Sequence, residues 1–349
     1  MAVDAPSGAR TDELFDADQA PRPGVAPVVS DAHLGGLADA LPGRARFGTS
    51  SWNFPGWNGL VWDGDYDEKR LSRDGLAAYA QHPLFGTVSL DRAFYQPLSV
   101  AQYADYAAQV PRDFRFVVKA PARISDALVR GTGGRATAAN PDFLDARIAR
   151  DIFVEPACRG LGERLGVLVW QLSPLPRDLL GDMAGLVARL DRMLATAAEI
   201  VAGQPGVVIA VEVRNPEWLG RTFVATLKAH GATYCLGLHP RMPPIAEQLP
   251  ILRALWPGPF VARWNLNMRH GAYGYEKARA DYAPFDTLID PDPATRDALA
   301  RVIAGTTGAG QPAFVTINNK AEGSAPCSVR ALAEAVIAAR RPPTGDPRA

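Results

Sequence analysis

GVVIAVEVRNPEWLGRTFVATLKAHG, residues 206–231, contains a complete strand and helix, and its reading decides the fold. Residues 206–214 are an apolar, β-branched run, the composition of a strand covered on both faces. Asn215 is placed to cap a helix and Pro216 fits the first helical position. Leu219, Phe223, Val224 and Leu227 fall on one helical face, and Gly231 ends the element. Along the strand, period-two alternation puts Val208, Ala210, Glu212 and Arg214 on one face and Ile209, Val211 and Val213 on the other. The wholly apolar set suits a helix layer, so Glu212 and Arg214 are expected to point the opposite way.

The same unit recurs along the chain. Short β-branched or aromatic runs at 46–52, 86–94, 114–121, 165–172, 206–214, 232–239, 260–267 and 313–319 are separated by amphipathic helical stretches. After the last run a helix is predicted from about Ala325, with Val329, Leu332, Val336 and Ile337 as its buried stripe. Eight such alternations point to parallel pairing with right-handed crossovers, and eight is the number that closes a barrel. The predicted fold class is therefore α/β, a single-domain (β/α)8 TIM-barrel-like fold. A doubly wound open sheet is the alternative, but no GxGxxG follows the first strand. The Gly-rich stretches RGTGGR (130–135) and GTTGAG (305–310) lack the strand-loop-helix context of a phosphate loop and read as flexible surface loops.

Residues 1–43 are rich in Ala, Pro, Gly and Asp without a sustained apolar period, and are predicted to be a disordered tail outside the fold. The barrel is expected to span 44–342, followed by a short tail at 343–349. The chain has 37 basic and 37 acidic residues, so no whole-molecule field draws it to nucleic acid or to an anionic membrane. No apolar run reaches the roughly 18 residues of a membrane span, and the acidic N-terminus is unlike a signal peptide, so a cytoplasmic location is expected. Cys158, Cys235 and Cys327 lie far apart without CxxC spacing, which argues for small buried residues rather than a disulfide framework or a zinc site.

In such a barrel, chemistry gathers at the C-terminal strand ends. Strand parity directs Ser89 and Asp91, Val117 and Lys119, Val169 and Gln171, Glu212 and Arg214, Val261 and Arg263, and Thr316 and Asn318 inward. Parity is ambiguous for the first and sixth strands, where Trp52 and His239 are the guesses. A polar mouth results, holding Asp91, Lys119, Gln171, Glu212, Arg214, Arg263 and Asn318, with Trp52, Tyr95, Trp264 and Tyr273 expected on its rim. One account of it is an internal salt-bridge network with Glu212 paired to Lys119 or Arg263. The other is a functional pocket, because so many polar groups converge on one ring.

A glycosidase pair is disfavoured, since Gln171 ends the fourth strand and no carboxylate ends the seventh. His239 and His270 are the possible metal ligands; none of the site residues is assigned to a metal, and no cofactor is evident. Lys119 could form a Schiff base if desolvated beside Arg263, although most inward lysines are simply paired. Lys and Arg together with aromatics suit a small anionic ligand with a flat or sugar-like face.

FGTSSWNFPGW (47–57), DRAFYQPLS (91–99), FRFVVKAPARIS (114–125), LGVLVWQLSP (165–174), AVEVRNPEWL (210–219), ARWNLN with a following aromatic segment (262–275) and INNKAEGSAPCSV (317–329) together resemble the YecE-like family, domain of unknown function 72. The resemblance implies a TIM-barrel-like fold and imports no settled activity. It singles out Trp52, Tyr95, Lys119, Gln171, Glu212, Arg214, Arg263 and Asn318, nearly the set chosen by parity. The chain departs from the family pattern at Ser89 and Asp91, where a Glu and an Asn are common. It departs again at Asn265-Leu266, where a His-Gly pair is common; here His270-Gly271 follows five residues later.

Three functions are then in competition. The first is an enzyme acting on a small phosphorylated or carboxylated substrate, with Lys119, Arg214 and Arg263 fixing the anion, Glu212 as acid or base, and Gln171 and Asn318 orienting polar groups. The second is a nucleotide or single-stranded nucleic-acid binding module stacking bases on Trp52, Tyr95 and Trp264. The third is a scaffold whose mouth is merely salt-bridged. None of them involves a membrane.

Overall fold

The computed structural model describes residues 24–29, 32–131 and 135–340. Eight parallel strands close into a barrel: β1 (Ala45–Thr49), β2 (Phe85–Leu90), β3 (Arg115–Lys119), β4 (Leu165–Gln171), β5 (Val208–Glu212), β6 (Thr233–Leu238), β7 (Phe260–Trp264) and β8 (Ala313–Ile317). Each pairs with its sequence neighbours and β8 closes on β1. All eight strands fall where the apolar runs predicted them.

Alternation along the strands produces two separate cores. Val117, Val167, Val169, Val208, Ala210, Cys235, Val261 and Phe314 pack together inside the barrel. Their strand neighbours, including Phe116, Leu168, Trp170, Ile209, Val211 and Leu236, pack outward into the layer of helices. The interior is thus filled below the mouth, and the buried charged side chains Lys119, Glu212, Arg214 and Arg263 stand at the C-terminal ends. Gly48 is required where β1 crosses β2, because a Cβ there would lie 1.8 Å from the Thr87 carbonyl oxygen.

Several sequence expectations are corrected. The N-terminal fold boundary lies before residue 44: Ala32–Ala40 is a helix, and its Leu34, Leu37 and Ala38 pack on the core. The backbone N–H of Val28 donates to Val61 O at 2.9 Å, and Arg340 Nη1 donates to Ala40 O at 3.1 Å. The i, i+3, i+4 apolar spacing was present in this segment but masked by its small residues. Residues 1–23, 30, 31 and the tail at 343–349 lie outside the described residues.

The helix after β5 starts later than expected. Asn215 and Pro216 open a 3-10 turn, Pro216–Trp218, which buries Trp218; the helix itself is Arg221–Ala229. Asn215 makes no helix cap, and its Oδ1 instead accepts from Leu175 N at 2.8 Å. The second strand ends at Leu90, and Arg92–Tyr95 is a helical turn. RGTGGR joins an antiparallel hairpin, Leu128–Arg130 with Ala136–Ala139, and residues 132–134 lie outside the described residues. Most of GTTGAG is not a loop: the helix Pro293–Gly308 runs through it, with Thr307 Oγ1 donating to Ile303 O at 2.8 Å. Cys158 and Cys235 are buried and Cys327 is half-buried. Among the described residues, no helix is long and apolar enough to cross a membrane.

Candidate functional site

The C-terminal strand ends converge on a cavity of about 300 Å³ lined by Asp91, Tyr95, Lys119, Gln171, Pro174, Arg214, His239, Arg241, Arg263, Asn265 and Tyr275. This is the small end of the usual range for ligand sites, about 300–1,000 Å³, so a compact ligand is favoured. A larger cavity of about 490 Å³ opens between helices Ile245–Ala254 and Pro293–Gly308. Its walls are mostly apolar, with Leu249, Leu252, Trp256 and Val302, and it lies at the opposite end of β6 and β7, where a barrel of this class carries packing rather than chemistry.

Arg263 is the centre of the mouth. Its side chain is 2 % exposed, and it donates from Nη1 to Glu212 Oε2 and Gln171 Oε1, both at 2.8 Å. From Nη2 it reaches both oxygens of Asp91, at 2.8 and 2.9 Å. Burial alone would lower its pKa, but the Asp91 and Glu212 carboxylates outweigh burial and hold the guanidinium charged. Gly237 and Thr316 are its register partners on β6 and β8. A Cβ on Gly237 would crowd Glu212 Cγ and Oε1 at 3.2 Å, so the glycine makes room for the buried carboxylate.

Glu212 is fully buried beneath the cavity floor. Its Oε1 pairs with Arg214 Nη2 at 2.6 Å and accepts from Asn265 Nδ2 at 3.3 Å, while Oε2 is taken by Arg263. Burial raises its pKa, but Arg214, Arg263 and Lys119 together pull it below the usual carboxylate range. A carboxylate so held is ionised and enclosed, and it positions two guanidiniums rather than exchanging protons with a ligand. Its expected acid/base role is corrected on this ground. Asp91 is a third exposed at its side chain and accepts from Ser89 Oγ at 2.6 Å. There too burial is overcome, by Arg263 and Lys119, and the pKa is lowered.

Lys119 departs from the expected ion pair. Among the described residues no carboxylate pairs with it, and its Nζ sits 3.6 Å from the centroid of the Phe94 ring. It is 9 % exposed. Burial, offset in part by Asp91 and Glu212 and reinforced by the nearby Arg263 and Arg214 charges, lowers the pKa to about 8. The mouth also leaves donors open: Arg214 Nη1 and Arg263 Nε are buried with no hydrogen-bond partner among the described residues. Unpaired buried donors are costly.

His239 was a guess from ambiguous parity, and β6 does place it on the cavity wall. Burial and Arg214 lower its pKa to about 4, so it is neutral. Its Nδ1 lies 3.1 Å from Arg241 N and accepts from that backbone N–H, which leaves the proton on Nε2 as a donor. His270 is elsewhere, its Nε2 bonded to the Tyr282 hydroxyl at 2.7 Å, so the two histidines do not converge.

Six of the eleven mouth and rim residues expected from sequence line the cavity: Asp91, Tyr95, Lys119, Gln171, Arg214 and Arg263. Asn318 stands beside it, donating to the Tyr275 hydroxyl at 3.2 Å. Trp52 and Trp264 are not at the rim, which is a correction. Trp264 has the parity opposite to Arg263 and faces the helix layer, and the Trp52 indole is buried on Tyr106 with its N–H donated to Leu71 O at 3.1 Å. Neither ring is accessible for stacking. The rim aromatics are Tyr95 and Tyr273, each 85 % exposed. Asn265, Arg241 and Tyr275 were missed. Extending the period-two count beyond Arg263 and His239 finds Asn265 and Arg241, whereas no local signal brings Tyr275 to the mouth.

The model of a family described as "Protein of unknown function DUF72" matches residues 46–348. The fold is similar to that of two solved DUF72 family proteins. One, from Enterococcus faecalis V583, is 16% identical, with TM-score 0.54, and the match covers 84% of this chain and 95% of that one. The other, from Thermotoga maritima MSB8, is 18% identical, with TM-score 0.53, and covers 83% and 98%. No curated protein matches the sequence.

Proposed function

The chain belongs to the DUF72 family, and from the chemistry of its barrel mouth we propose that it is an enzyme acting on a small anionic substrate, phosphorylated or carboxylated. The observation that carries this reading is a small cavity whose wall holds Arg214 and Lys119, a lysine with which no carboxylate pairs among the described residues. Arg214 is held in place by Glu212, so little ordering is needed when an anion arrives, while Arg263, whose Nη groups are taken by Glu212, Gln171 and Asp91, adds positive charge behind it. Lys119 adds a third cation, while His239 Nε2–H and Gln171 offer neutral contacts for orientation. Glu212 acts behind the guanidiniums, and Asp91 is the carboxylate that reaches the cavity.

Titration calorimetry with sulfate, phosphate and malonate tests the reading. Saturable binding is expected, weakened about tenfold or more in Arg214→Gln, the loss of one charge-assisted contact. Absence of binding by the native protein, or unchanged affinity in Arg214→Gln, would overturn it. A second reading, as a nucleotide or single-stranded nucleic-acid module, draws on the exposed Tyr95 and Tyr273, the latter covered by the Arg241 guanidinium at 4.6 Å. Only Tyr95 of its three expected stacking rings is accessible. Binding of an oligothymidylate that falls steeply with salt would favour it over the enzyme.

A further inference from the structure

We propose that Lys119 is a covalent amine centre: its Nζ condenses with the carbonyl of a small carbonyl compound whose carboxylate or phosphate is drawn in by Arg214 on the same cavity wall, forming a protonated imine. The proposal rests on the anion-site reading above and adds a reaction to it.

The carboxylates of the mouth are already occupied. Glu212 is shared by Arg214 and Arg263, and Asp91 is bound by Arg263 and Ser89. The two arginines take both carboxylates, and Lys119, at the end of β3 on the cavity wall, has none. A lysine serving as a structural cation would be paired, because burying a charged amine without a counter-ion is costly. Here the amine is steadied by the face of Phe94 at 3.6 Å, a support that does not depend on a fixed negative charge. The charged groups that act on it are Asp91, Arg263, Glu212 and Arg214. With burial, their sum leaves a substantial fraction of neutral amine near pH 8, the state that attacks a carbonyl.

The chemistry balances with the groups present. The Nζ lone pair adds to the carbonyl carbon, and the carbonyl oxygen takes one amine proton to give a carbinolamine. That hydroxyl accepts a second proton from solvent and leaves as water, so that a nitrogen–carbon double bond carrying one proton remains. Arg214 supplies the positive charge on the cavity wall for the anion, and the His239 Nε2–H is a neutral donor on the same wall for the departing oxygen. The cavity of about 300 Å³ suits compounds of a few carbons.

The test is reductive trapping on the full chain. The protein is incubated with glyoxylate, with glycolaldehyde phosphate or with neutral acetaldehyde, reduced with cyanoborohydride, and mapped by peptide mass spectrometry. Glyoxylate and the phosphate ester separate a carboxylate from a phosphate preference. Expected is near-stoichiometric modification of Lys119 by at least one anionic aldehyde, with a rate rising through about pH 8. Modification should be about tenfold slower in Arg214→Gln, and Lys119→Arg, which keeps the charge, should abolish it. Label spread over surface lysines with Lys119 untouched, in a protein that binds sulfate, would overturn the imine and leave the anion site standing. Equal labelling of Lys119 by acetaldehyde and glyoxylate would overturn the anionic selectivity on which the proposal rests.

Discussion

Replacing Glu212 with glutamine removes the single negative charge that two guanidiniums share beneath the cavity. In the native protein the carboxylate is fully buried and receives Arg214 at 2.6 Å and Arg263 at 2.8 Å. Glutamine keeps the shape but turns an N–H₂ donor toward one of these donors. Asp91 still serves Arg263, whereas no other carboxylate pairs with Arg214 among the described residues. Breaking a buried ion pair in this way costs about 3–5 kcal/mol. That is a large part of a total stability of about 5–15 kcal/mol. At roughly 2–4 °C per kcal/mol for a chain of this size, the melting temperature should fall by about 6–20 °C.

Urea and thermal melts of native protein and Glu212→Gln measure this directly, and pH gives a second check with a fixed sign. The folded pKa of Glu212 lies below that of the unfolded chain, so between the two values the unfolded state binds the extra proton and stability rises with pH. The contribution of Glu212 is complete above the ordinary carboxylate range and is lost as pH falls through the depressed folded value. The gap between native protein and variant should therefore be full at pH 7 and close in acid. A loss under about 1 kcal/mol, the value of an exposed pair, or a gap that persists in acid, would refute the reasoning.

Lys119→Met should stabilise the protein at pH 7 by up to about 3 kcal/mol, from the drop of the lysine pKa from 10.5 to about 8. Because the folded pKa is the lower one, the native protein regains this stability as pH rises from about 8 to 10.5, and urea titrations across that window should show the variant's advantage fading. Sulfate affinity should be flat between about pH 5.5 and 7.5, because His239 titrates near 4 and stays neutral, and should fall above about 8 as Lys119 loses its proton. A calorimetric inflection near 6.5 would contradict the neutral imidazole.

The strands were legible because a strand covered by helices outside and packed inside must be apolar on both faces, and the runs at 165–172 and 206–214 show this without any tertiary information. The inward direction of Glu212, Lys119 and Arg263 was legible too, since side chains alternate strictly along a strand. The two misplaced tryptophans differ in cause. Trp264 was assigned to the rim although it alternates with Arg263, and Trp52 lies past the end of β1, where parity no longer holds. The helix Ala32–Ala40 was hidden by composition: a stretch that looks too poor in apolar residues to fold alone is ordered by packing against the C-terminal helix, Ala325–Arg340.

The sequence by itself determined the barrel, its eight strands and the set of polar groups at their ends, because period and composition are local properties of the chain. The partners of those groups were decided only by tertiary structure. Arg263 meets Asp91 across 172 residues, and Gln171 meets Arg263 across 92. Arg263 takes Asp91 and shares Glu212 with Arg214 before Lys119 can, and burial then makes that competition consequential. Barrel closure therefore leaves one lysine unpaired on the cavity wall, a property of the ring of strand ends and of no single stretch of sequence.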